Sequence, residues 1–143
     1  MLTSKKLLIM GLPGAGKTTL AQTLAPLLRA VHFNADAVRT NLNRDLGFSL
    51  EDRIEHARRM GWLCDQVTMA GHFAIADFVC PLPETRTAFG PCCLILVDRI
   101  TEGRYPDTNR LFQPPVDMDF RVTAEGTAGD WAAHIAQSLP TAS

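Results

Sequence analysis

No stretch of the sequence approaches the roughly eighteen consecutive apolar residues that a membrane helix needs. Residues 1–10 hold too short an apolar run, closed at once by Gly11, to make a signal peptide. A membrane protein and a secreted one are therefore set aside, and the expected location is the cytoplasm. Neither sign of charge runs in a block: fourteen Lys plus Arg stand against fifteen Asp plus Glu, a net charge of −1. The basic field that coats nucleic acid is missing, so no nucleic-acid partner is expected. The four cysteines, Cys64, Cys80, Cys92 and Cys93, make no C-x-x-C pair, which excludes a zinc knuckle or a thioredoxin motif and leaves reduced thiols buried as small hydrophobes. Internal repeats and low-complexity tracts are absent too. What remains is 143 residues, 46% hydrophobic and 20% charged, the balance of one globular domain over 1–143.

Apolar runs alternate with helical periodicity along the chain. Residues 5–10 (KKLLIM) form a run that stops at a glycine-rich turn, after which Leu20, Leu24 and Leu27 or Leu28 share a helical face. Residues 31–33 form a second run ending in polar Asn34 and Asp36, which places those side chains at the carboxyl end of a strand, where parallel sheets bind ligands. Residues 49–71 read as a long helix, opened by Ser49 with Asp52, continued by Ala57, Met60, Cys64 and Val67, and closed by Gly71. Residues 72–79 and 92–97 are the third and fourth apolar runs, and Pro81 and Pro83 break the chain after the third. A last strand falls around 120–122, and a final helix begins near Asp130 with Trp131, Ile135 and Leu139 on one face. This order predicts a three-layer α/β fold with about five parallel strands and helices on both faces. Residues 99–115, carrying Gly103, Pro106, Pro114 and Pro115, read as a functional loop.

Residues 11–18 (GLPGAGKT) match G-x-x-x-x-G-K-[ST] immediately after a predicted strand and before a predicted helix, the context a phosphate-binding loop requires. Glycines let backbone N–H groups curl around phosphate oxygens, and the helix N-terminus adds partial positive charge. The expected nucleotide contacts are Gly11, Gly14, Ala15, Gly16, Lys17, Thr18 and Thr19, with Lys17 on the β- and γ-phosphates of ATP and the Thr18 hydroxyl on Mg²⁺. The base-reading N-K-x-D of GTPases is lacking, and an oligomeric AAA-type ATPase needs a longer chain. A kinase for a small acceptor fits both limits.

The segment FNADAVRTNLNRDLGFSLEDRIEHARRM from Phe33, with GLPGAGKTTLA before it and VCPLPETR at 79–86 after it, resembles the adenylylsulfate (APS) kinases over about residues 5–90. That resemblance implies ATP-dependent phosphorylation of the ribose 3′-hydroxyl of adenylylsulfate to give PAPS. It implies that Asp36 orients or deprotonates the acceptor hydroxyl and helps hold the Mg²⁺ shell. Arg39 and Arg53 would grip the phosphosulfate, Phe48 would stack on the adenine, and Val79 lies in the turn after the third strand. Read without it, Phe48 is equally a core residue and Arg53 a solvated one. Family members also commonly pair as homodimers through their helices.

Three features depart from the family pattern. Asn34 stands where the first carboxylate of a D-G-D segment is usual, His56 replaces an asparagine three residues after Arg53, and the lid is reduced to residues 99–115. There Arg99, Arg104 and Arg110 either close over ATP phosphates or are simply solvated, and Arg104 and Arg110 are carried as nucleotide contacts. Asp77 either sits at a strand tip as a second carboxylate of the metal shell or faces a neighbouring strand as a structural group. His56 is placed near the acceptor because it shares a helical face with Arg53. Two other readings remain: a kinase for another small alcohol, nucleoside or nucleotide, and a nucleotide-binding module without turnover. The retention of both Lys17 and Asp36 argues against the module.

Overall fold

A computed structural model describes residues 4–100 and 111–139. The apolar run after Lys5 becomes β1 (Lys6–Met10), buried on both faces as a central parallel strand must be. The other strands are β2 (Val31–Asn34), β3 (Ala74–Asp77), β4 (Cys93–Val97) and β5 (Phe120–Val122). They form one parallel sheet in the order β2-β3-β1-β4-β5. The chain leaves β1 towards one edge and returns to the other side of it, so the carboxyl end of β1 is the topological switch point where such sheets bind ligands.

Alternation along β1 assigns the two faces. Leu7 and Ile9 pack against α1 (Lys17–Leu28) through Leu20, Leu24 and Leu28, and against the last helix through Ile135. Leu8 and Met10 pack on the opposite face with Met60 and Cys64 of α3 (Leu50–Met69) and Phe89 of α4 (Pro83–Phe89). The last helix, α5 (Ala128–Ser138), is opened by a capping box between Thr127 and Asp130. The four thiols are free, and burial pushes each of them up to about 12, so they are inert apolar filling as expected.

Two helices were not anticipated. The seven residues of α2 (Ala35–Asn41) are too few to show a full apolar period, but Asn34 caps them by accepting a hydrogen bond from the Ala37 N–H at 3.0 Å. Asp36, expected at the carboxyl end of a strand, therefore lies just beyond β2 in the first turn of a helix. Pro83 does not break the chain: it occupies the first turn of α4, where a missing N–H costs nothing. That helix meets α3 at very short range, since a Cβ on Gly61 would lie 2.1 Å from the Phe89 carbonyl oxygen. Residues 101–110, including Arg104 and Arg110, lie outside the described residues, and the chain re-enters at Leu111. There the Gln113 N–H donates to the Pro81 carbonyl at 2.7 Å, and Arg86 donates to the carbonyls of Cys80 and Gln113.

Candidate functional site

A cleft of about 840 Å³ opens at the carboxyl ends of β1, β2 and β3, between the 11–18 loop and the α2–α3 connection. The loop is rooted against β4: Gly11, at φ 155°, is so close that a Cβ would stand 2.6 Å from the Val97 carbonyl oxygen. Gly14, Gly16, Lys17, Thr18 and Thr19 line the cleft, whereas Gly11 and Ala15 are buried behind it. Lys17 is only 8% exposed and its Nζ donates to the Leu12 carbonyl at 2.9 Å.

Asp77 ends β3, is 2% exposed, and lines the cleft. Thr18 donates its hydroxyl to Asp77 Oδ1 at 3.1 Å, and the Asn34 amide donates to both carboxylate oxygens at 3.3 Å. The sheet register sets this arrangement, because Asn34 of β2 stands directly opposite Asp77 of β3. His32, two residues earlier, places its Nε2 against Asp77 Oδ2. Both alternatives for Asp77 are thus partly realised: it is at the strand tip beside the loop threonine, and it also touches the neighbouring strand.

On the other wall, Asp36 is exposed in the first turn of α2 and faces the cleft. Phe48 is 68% exposed, which removes the core reading, and its ring lies 4.3 Å from the Arg39 guanidinium and 5.5 Å from that of Arg53. Arg39 donates to the Gly47 carbonyl and Arg53 to the Phe48 carbonyl, each at 2.9 Å, so the arginines and the aromatic form one unit rather than three loose side chains. Partial burial holds both guanidiniums below their ordinary values, and for Arg39 the charge of Arg53 adds to it. An anion between them would relieve that repulsion.

His56, on α3 one turn beyond Arg53, lines the inner wall and is 3% exposed. Burial, with the nearby charges of Arg39 and Arg59, pushes it down to about 4. Val79 completes the wall after β3 beside Cys80, which holds a positive φ of 48°. The cleft therefore gathers Gly14, Gly16, Lys17, Thr18, Thr19, Asp36, Arg39, Phe48, Arg53, His56, Asp77 and Val79 of the expected set. Sequence reading missed His32, although residues two apart on a strand share a face and Asn34 was already placed at the site. Among the described residues no group of three or more His, Cys, Asp or Glu is arranged to hold a metal ion.

A sequence model described as adenylylsulphate kinase matches residues 3–91. An adenylyl-sulfate kinase of Gloeothece citriformis is 42% identical over 83 residues, covering 54% of this chain and 47% of the relative. The chain spans about half the length of the curated relatives it matches in this way. An APS kinase of Mycobacterium tuberculosis, solved in complex with AMPPNP and APS, superposes with a TM-score of 0.82 at 22% identity, covering 96% of this chain and 98% of that one. A sugar kinase from Janibacter sp. superposes with a TM-score of 0.72 at 19% identity, covering 94% and 93%. At those identities the two structures speak for the fold alone, a three-layer α/β architecture.

Proposed function

Because the chain belongs to the adenylylsulphate kinase family, we propose that it transfers the γ-phosphoryl group of ATP to the ribose 3′-hydroxyl of adenylylsulfate, giving 3′-phosphoadenylylsulfate (PAPS). The observation that carries this reading is a single cleft in which Lys17 and Thr18 of the loop face Asp36, Arg39, Phe48 and Arg53. Asp36 accepts the proton of the attacking hydroxyl and aligns its oxygen with the γ-phosphorus. Lys17 exchanges its bond to the Leu12 carbonyl for β- and γ-phosphate oxygens, while the loop N–H groups hold the phosphates in place. Phe48 stacks on the acceptor's adenine, and Arg39 and Arg53 face its phosphosulfate.

The residues present suit Mg²⁺, whose preference is for hard oxygen donors and retained waters. Thr18 Oγ1 and the Asp77 carboxylate, 3.1 Å apart, would hold it together with the nucleotide, with Asp36 at the edge of its hydration shell. When bound, Mg²⁺ neutralises charge on the β- and γ-phosphate oxygens. The reading takes residues 1–143 as one kinase domain acting in the cytoplasm on small molecules. Among the described residues no helix is long and apolar enough to cross a membrane. It also includes pairing as a homodimer, for which Trp62 and Met69 of α3 are among the exposed large apolar side chains.

A second reading, a kinase of the same build for another small alcohol, nucleoside or nucleotide, is favoured by His56. Among the described residues its buried Nε2 has no partner, on the wall that would meet the acceptor, where the family motif carries an asparagine. A coupled ADP-release assay with Mg·ATP separates the readings, using adenylylsulfate, nucleosides, nucleotides and small alcohols, with product identification by chromatography. PAPS formation that disappears in Asp36→Ala is the expected result. Turnover with a different acceptor alone installs the second reading, and silence across the panel removes both in favour of a nucleotide-binding module.

A further inference from the structure

We infer that Asn43 and Arg59 lock His56 as a neutral ring carrying its proton on Nε2, and that this donor selects acceptor molecules presenting an unprotonated oxyanion to the inner wall of the cleft. The inference deepens the acceptor-site reading above and rests on it.

The logic is one of donors and acceptors. Arg59 can only donate, and it is held from both sides, by Asp45 at 2.9 and 3.0 Å and by Glu55 at 2.8 Å. Its Nη1 lies 3.2 Å from Asn43 Oδ1, which fixes that atom as the carbonyl oxygen and turns the amide nitrogen towards His56. That nitrogen lies 2.8 Å from His56 Nδ1. A side-chain amide NH₂ also only donates, so Nδ1 must accept and be bare, and in a neutral imidazole the proton then sits on Nε2. Burial with Arg39 and Arg59 nearby disfavours a second proton on the ring.

His56 Nε2 is the buried side-chain atom left without a hydrogen-bond partner among the described residues. His56 is 3% exposed and lines the cleft. Its charged and aromatic neighbours from other elements are Arg39 of α2 and Phe78 after β3, whose ring stands edge-on at 6.0 Å. Every polar group in this set, Arg39, Arg59 and the Nε2 proton, donates. A ligand atom that satisfies Nε2 must therefore accept, and beside two cleft guanidiniums a sulfate or phosphate oxygen matches where an amine or amide N–H would leave two donors opposed. Asn43, itself buried and outside the cleft lining, is a positioning residue that acts through the histidine.

Long-range ¹H–¹⁵N spectra of the ring-labelled full chain read the tautomer directly, and titration with adenylylsulfate follows the Nε2 resonance. The expected result is a proton on Nε2 whose signal shifts on binding. Asn43→Asp, whose carboxylate would accept from Nδ1, should move the proton to Nδ1 and raise the adenylylsulfate KM about tenfold, with kcat and the ATP KM within about threefold. His56→Phe, checked for folding by its thermal melt, should raise the same KM about as much if Asn43→Asp does not fold. A proton on Nδ1 in the unaltered protein, or an unchanged adenylylsulfate KM in both variants, overturns the inference. If the unaltered protein does not phosphorylate adenylylsulfate, the proposed function fails separately, and inorganic pyrophosphate becomes the probe. A shift of the Nε2 resonance with pyrophosphate that is lost in Asn43→Asp then upholds the inference, and no shift overturns it.

Discussion

On the loop side of the cleft Lys17 and Asp77 are almost fully buried and already hydrogen-bonded, whereas on the α2–α3 side Phe48 is 68% exposed and Asp36 lies open. The first wall has the side chains of Lys17, Thr18 and Asp77 hydrogen-bonded to its own loop and to neighbouring strands. The second wall is held mainly by two arginines bonded to the carbonyls of Gly47 and Phe48. Under the proposed function, the buried wall would serve rate, while the surface-mounted unit would allow the acceptor to be changed without disturbing the core.

The largest break in this comparison comes from Lys17→Ala, which should lower kcat about 10³-fold in the ADP-release assay, since it removes a charge aimed at the transferring group. Gly61→Ala tests the support behind the second wall. The added Cβ meets the Phe89 carbonyl, and urea unfolding should show a loss of about 3 kcal/mol. A third test uses pH. His56 is pushed from 6.5 to about 4, so between those values the unfolded chain binds a proton that the folded chain refuses. Stability should fall as pH drops from 6.5 to 4, by on the order of 3 kcal/mol at the lower end, and be indifferent to this group above pH 7. Comparing the pH dependence of urea unfolding with that of His56→Gln isolates the contribution. The smallest effect on folding belongs to Phe48→Ala, which should raise the adenylylsulfate KM about tenfold. Its stability should change by less than about 0.5 kcal/mol, as expected for an exposed side chain.

The first wall was the more legible in sequence. Residues 11–18 combine a spacing motif with a strand before and a helix after, and each local signal points the same way. The positions of β1, β3 and β4 along the chain followed from apolar runs, because strands buried on both faces read as continuous hydrophobic stretches, whereas the order of the strands in the sheet was not read from the sequence. The second wall was legible chiefly by resemblance, since exposed Phe48 and half-buried Arg53 leave no periodic trace of being placed. Two short helices escaped for specific reasons: α2 is capped by a residue marked for another purpose, Asn34, and α4 begins on a proline that normally signals an ending. The contact between His32 and Asp77 was hidden by 45 residues of sequence that the parallel sheet closes in one step. Asn43 offered no signal, because nothing in its neighbourhood announces that it will face a histidine thirteen residues on.

The contact at Gly61 also makes α3 a ruler. Packed closely on α4 at Gly61, the helix carries His56 and Arg53 five and eight residues back along its axis, about 7.5 and 12 Å away at 1.5 Å per residue. The zero mark cannot slide, because no side chain fits beneath it. Under the proposed function, a lineage or a designer wishing to accommodate a longer or shorter acceptor would be left with exchanging the graduations, the residue types at 53 and 56, while the scale itself stays fixed.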